Sequence, residues 1–120
     1  MKFQVSFLGL IVAVSALASV SAHSIPAAYA ATTMISANTV FGSLIVNEGD
    51  TLVISQGVEV GAESITNNGT IINRGSLVAG SFINGGTIDS YGLFSFNGNG
   101  SNDGGTINVH GTLEFEGVYG

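Results

Sequence analysis

Few side chains in this sequence could do chemistry. Its 120 residues hold eight acids, two bases, two histidines and no cysteine. Asp89, Asp103, Glu114 and Glu116 are the acids worth weighing. Glycoside hydrolysis needs two carboxylates facing each other across the scissile bond. Glu114 and Glu116 are two residues apart, so on a strand they share one face at about 7 Å. They alternate with Leu113 and Phe115, as a solvated outer face alternates with an apolar inner one. Asp103 and the loop carbonyls around it offer calcium a single carboxylate, a weak site. Neither histidine sits in a nucleophile motif, so Ser-His-Asp chemistry is unsupported. Without cysteine there is no thiol catalysis and no thiolate metal site. Gly85-Gly86 and Gly104-Gly105 do not open helices and cradle no phosphate; they read as corner residues with positive φ. No residue is assigned a catalytic, cofactor or metal role. Two sequons remain, Asn68-Gly69-Thr70 and Asn99-Gly100-Ser101, and in a secreted chain Asn68 and Asn99 are glycosylation acceptors.

Secretion is what the first 22 residues predict. Lys2 is the positive start, Phe7 to Ala18 the apolar run, and Val20-Ser21-Ala22 supplies small residues before a cut between Ala22 and His23. A second cut site follows Ala28-Tyr29-Ala30. Ser15, Ser19 and Ser21 shorten the apolar stretch below a membrane span, so no span is expected after cleavage. Cleavage removes Lys2 and takes the net charge from −6 to −7. With only Lys2 and Arg74 as bases, neither nucleic acid nor an anionic membrane surface is an expected partner.

The elements that must position these residues are set by a repeat. Gly69-Thr70-Ile71-Ile72-Asn73-Arg74-Gly75 returns as Gly86-Thr87-Ile88-Asp89-Ser90-Tyr91-Gly92 and as Gly105-Thr106-Ile107-Asn108-Val109-His110-Gly111, at offsets of 17 and 19 residues. Ile71, Ile88 and Ile107 form one apolar column. Leu77, Phe94 and Leu113 form a second, and Ala79, Phe96 and Phe115 a third. Asn67, Asn84 and Asp103 form a polar column. One such unit cannot bury its own stripe; stacking copies about 4.8 Å apart buries a continuous core. The predicted fold is therefore all-β: a parallel β-helix, or β-solenoid, following a signal helix. The polar column becomes a side-chain ladder at a corner. Asn-Gly occurs at Asn68, Asn84, Asn97 and Asn99 and is a strong hairpin signal, which leaves an antiparallel meander as the alternative.

Residues 23 to 40 read as a leader or N-terminal cap, and 41 to 120 as the repeat domain. Within 41 to 63, Gly42-Ser43-Leu44-Ile45-Val46 parallels the Gly-Thr-Ile starts, and Gly49-Asp50-Thr51-Leu52 parallels Gly111-Thr112-Leu113. Residues 97 to 104 hold no apolar side chain and read as a loop bulging from one face. The sequence stops soon after the third repeat, which reads as a truncated product or one completed by a partner, with an open last rung as a site of self-association.

A secretory start, low charge and phrases such as Ile65-Thr66-Asn67-Asn68-Gly69-Thr70-Ile71 resemble the amino-terminal domain of fungal hyphally regulated cell-wall proteins. The resemblance covers residues 36 to 117. It implies a β-helical head displayed in the wall, acting in adhesion or wall structure, with wall polysaccharide or a neighbouring or host cell surface as partner. It supplies no catalytic motif. The family's Ser/Thr-rich stalk and lipid-anchor signal have no counterpart here. A cut after Ala22 would also make His23 the first residue. This is similar to copper-dependent polysaccharide oxygenases, whose amino-terminal His holds copper through amine and ring; His110 is the one other histidine. The expected function is a secreted, non-enzymatic structural or adhesin-like wall protein. The alternatives are a secreted carbohydrate-active enzyme, acid-base or copper-dependent through His23, and an inactive adhesin remnant.

Overall fold

The computed structural model describes residues 31–116 in full, with the backbone of Lys2–Val5, Ile11–Val14 and Val118–Tyr119. Most of the expected signal helix, the cut at Ala22 and His23, and residues 23–30 of the leader lie outside the described residues. The two pieces of the expected signal segment that are described, β1 (Lys2–Val5) and β2 (Ile11–Val14), are strands. No helix occurs among the described residues.

The remaining strands are β3 (Thr32–Ile35), β4 (Thr39–Val46), β5 (Thr51–Ile54), β6 (Glu59–Asn67), β7 (Thr70–Asn73), β8 (Ser76–Asn84), β9 (Thr87–Ser90), β10 (Leu93–Phe96), β11 (Asn99–Asn102), β12 (Thr106–Val109), β13 (Thr112–Phe115) and β14 (Val118–Tyr119). One sheet runs β1-β4-β6-β8-β10-β13 and the other β2-β3-β5-β7-β9-β12. β11 lies beside β8 in the first sheet and pairs β14. Every pairing is parallel, so the fold is a β-solenoid and not a meander. From Thr32 to Thr106 the chain makes about four turns.

Alternation builds the core. β5, β7 and β9 each bury their second and fourth residues, which face inward. Leu52, Ile71 and Ile88 stack in one fully buried column, which Ile107 extends. Val60, Leu77 and Phe94 stack in another. Phe82, Phe94 and Phe96 meet at centroid distances of 4.7 to 5.9 Å. Gly100 lies next to Phe82 in register, and a Cβ there would run into the Phe82 ring. A glycine in this column leaves room for a phenylalanine in the coil before it.

The irregular first coil differs from expectation. Thr51 pairs Thr70, so Gly49-Asp50-Thr51-Leu52 aligns with the Gly-Thr-Ile starts and not with Gly111-Thr112-Leu113. Ser43 pairs Ser64, and Ser64 pairs Ser81, so Gly42–Val46 belongs to the far half of the long strands. Thr32–Ile35 also forms a solenoid strand, β3, inside the stretch read as leader or cap. Two insertions hid this register, Asn47–Asp50 and Ser55–Val58, where the next two coils turn in two residues. Each insertion closes on a glycine in the left-handed region, Gly49 at φ 87° and Gly57 at φ 81°.

The expected loop at 97 to 104 is also corrected. Asn99–Asn102 forms β11, with Ser101 beside Ile83 and Asn102 beside Asn84. Gly100, having no side chain, keeps the inward alternation that the polar composition concealed.

Candidate functional site

The chemistry-bearing side chains gather at the solenoid's corners. One corner joins β7 to β8, β9 to β10 and β12 to β13, each time by two residues: Arg74-Gly75, Tyr91-Gly92 and His110-Gly111. The Tyr91 N–H donates to Asn73 O at 2.7 Å, and the His110 N–H to Ser90 O at 2.8 Å. The glycines here are close-approach residues and do not have positive φ. A Cβ on Gly92 would strike the Gly75 carbonyl oxygen, which accepts the Leu93 N–H at 2.9 Å. Gly85, Gly86 and Gly105 likewise lack positive φ; of the two glycine pairs only Gly104 has it, at 77°.

Because each corner repeats, the side chains pile up on its outside. The Arg74 guanidinium lies over the Tyr91 ring at 5.2 Å from its centroid. On Tyr91 stacks the His110 imidazole, centroids 4.6 Å apart and planes within 8°. Arg74 and His110 thus both pack on Tyr91, although Tyr91 stays 49% exposed. Cation–π and ring stacking hold the row together, and the ring surface a sugar would stack on is in use.

Just inside this corner, Asn73 is fully buried. Its Nδ2 donates to Ser90 Oγ at 3.1 Å and to Leu93 O at 2.7 Å, and its Oδ1 accepts from the Gly75 N–H at 3.2 Å. The opposite corner repeats the design. Asn67 Nδ2 donates to Asn84 Oδ1 at 2.8 Å and to Thr87 O at 3.0 Å, and Asn67 Oδ1 accepts from Gly69 N–H at 3.2 Å. Asn84 Nδ2 donates onward to Asn102 Oδ1 at 2.9 Å and to Thr106 O at 3.1 Å. The polar column is therefore Asn67, Asn84 and Asn102, not Asp103. One more residue in the corner after β11 shifts the register, and Asp103 is exposed. The Asn73–Ser90 ladder was not foreseen. Its signal was present, since both residues fill one column of the repeat, two before the closing glycine.

The acids do not converge on a reaction centre. Asp89 Oδ1 accepts from Asn108 Nδ2 at 2.7 Å, another contact between coils. Glu114 and Glu116 are exposed on the last coil. No group of three or more His, Asp or Glu residues able to hold a metal occurs among the described residues. Of the sequon asparagines, Asn68 is exposed at the turn, because Asn67 and not Asn68 enters the ladder. Asn99 is exposed at the start of β11, beside a hollow lined by Ser64, Ser81, Ile83 and Ser101. Among the described residues no helix is long and apolar enough to cross a membrane.

No known family, characterised protein or solved structure matches the chain. The geometry of the corners is thus what a functional reading has to build on.

Proposed function

We propose that this chain is a secreted, non-enzymatic structural or adhesin-like protein of a fungal cell wall, glycosylated at Asn68 and Asn99. One observation carries the reading. Polar and aromatic side chains at the corners are engaged with their equivalents in neighbouring coils, as in Asn67–Asn84–Asn102 and Arg74–Tyr91–His110. Such ladders stiffen a rod and leave its outer faces for contact with wall polysaccharide or a neighbouring cell. Both sequon asparagines stand outside the ladders, where a glycan displaces nothing.

The test is fractionation of the tagged full chain secreted from yeast. Material released from walls by glucanase, and shortened by glycosidase treatment, is the expected result. Recovery as soluble, unglycosylated monomer in the medium would overturn the reading.

A further inference from the structure

The sequence has four Asn-Gly bonds, after Asn68, Asn84, Asn97 and Asn99, and in this parallel fold none of them closes a hairpin. Such a bond is also chemically weak. Glycine has no side chain to shield its nitrogen, which can close a five-membered ring on the preceding side-chain amide. The fold restrains three of the four. The Gly69 N–H donates to Asn67 Oδ1 at 3.2 Å. The Gly85 N–H donates to Asn67 O at 2.8 Å, and the Asn84 amide is locked in the buried ladder. Gly100 is buried within β11, in register with Phe82.

Asn97-Gly98 is placed differently. Between Phe96, beside Ala79, and Gly100, beside Phe82, the chain spends three residues where β8 spends two. This is a β-bulge, whose extra residue leaves the ladder and bends the strand. β8 runs straight through this point, but β10 ends at Phe96 and β11 starts at Asn99. Asn97 is exposed. Its own N–H donates to Ala79 O at 3.2 Å, while no hydrogen bond holds the Gly98 N–H among the described residues. We infer that Asn97-Gly98 is a self-modification site, at which Asn97 deamidates through a cyclic imide while Asn84 stays intact. The Gly98 nitrogen gives up its proton to base and bonds to Asn97 Cγ. The Cγ–Nδ2 bond breaks, and Nδ2 takes up a proton and leaves as ammonia. Water then opens the imide at one carbonyl or the other. The product is aspartate or, with the main chain rerouted through Cβ, isoaspartate. A bulge already outside the ladder can take up that extra backbone atom. Register sets position 97 beside Glu116 of the next coil, so the new carboxylate meets a like charge and loosens the last coil.

The purified full chain is held at mildly alkaline pH, once folded and once in denaturant. Peptide mapping with isoaspartate detection times the conversion at each asparagine. Asn84 and Asn97 lie outside the two sequons, so glycans leave this pair comparable. In folded protein Asn97 is expected to convert at least about tenfold faster than Asn84, whose ring closure must first break hydrogen bonds of about 1 kcal/mol each. In denaturant the two rates should converge, since both residues precede glycine. Asn97→Gln, at an exposed position, is expected to fold and to lose the fast conversion, because its ring would need one more methylene. Equal rates at Asn84 and Asn97 in folded protein would overturn the inference. So would an Asn97 that stays intact in the folded chain while the unfolded chain converts, or a fast conversion that survives Asn97→Gln.

Discussion

At the scale of single residues, the asparagines matter most. Asn84 accepts from the coil before it and donates to the coil after it, all at 0% exposure. Truncating it leaves Asn67 Nδ2, Asn102 Oδ1 and the Thr106 carbonyl each short of one partner. A buried polar group without its partner costs about 1–3 kcal/mol. Asn84→Ala is therefore expected to destabilise by about 3 kcal/mol or more, read from denaturant midpoints. Asn97→Ala, an exposed asparagine followed by glycine like Asn84, should change stability by less than about 0.5 kcal/mol. Tyr91→Ala removes the centre of the Arg74–Tyr91–His110 row. Its expected loss is about 1–2 kcal/mol, since exposed cation–π and ring pairs contribute about 0.5–1.5 kcal/mol each. Equal stability of Asn84→Ala and Asn97→Ala would show that the ladder is not a stabilising feature.

At the scale of elements, coil spacing dominates. Ile88 lies in the middle of a fully buried column, and Ile88→Asp is expected to abolish folding by placing an unpaired charge there. Secretion and circular dichroism like those of the wild type would refute the register. The corner glycines make a second comparison. A Cβ on Gly86 would meet the Gly69 carbonyl oxygen, backbone against backbone, where the coils have no freedom to part. Gly49 has open space around it and only the strain of φ 87°. Gly86→Ala should therefore cost more than about 3 kcal/mol and Gly49→Ala about 1–2 kcal/mol.

These elements also show what could be read without coordinates. The parallel stacking and the columns through Ile71 and Leu77 followed from identities recurring at a near-fixed offset. Three features did not. The extra residue at Asp103 moved the ladder to Asn102, because an insertion inside a turn leaves no mark on the apolar pattern. The two insertions around Gly49 and Gly57 disguised the first coil in the same way. β11 was hidden because its inward residue is Gly100, and a strand with no apolar side chain has no period to detect.

At the scale of the whole molecule, every ladder argued above depends on one register, each strand lying beside its equivalent a single coil away. Ser64 Oγ donates to Ser43 Oγ at 3.1 Å on the outside of the solenoid, and Ser81 follows one coil further on. Parallel neighbours lie about 4.8 Å apart, within disulfide reach, whereas positions two coils apart are near 9.6 Å and beyond it. The chain has no cysteine of its own, so any bond formed is the one introduced. The decisive measurement is the extent of intramolecular disulfide formation, by mass, in the double variants Ser43→Cys/Ser64→Cys and Ser43→Cys/Ser81→Cys under mild oxidation. The stacked-coil account predicts near-complete closure of the first pair and none of the second. Closure of the second pair, or failure of the first in folded protein, would contradict it.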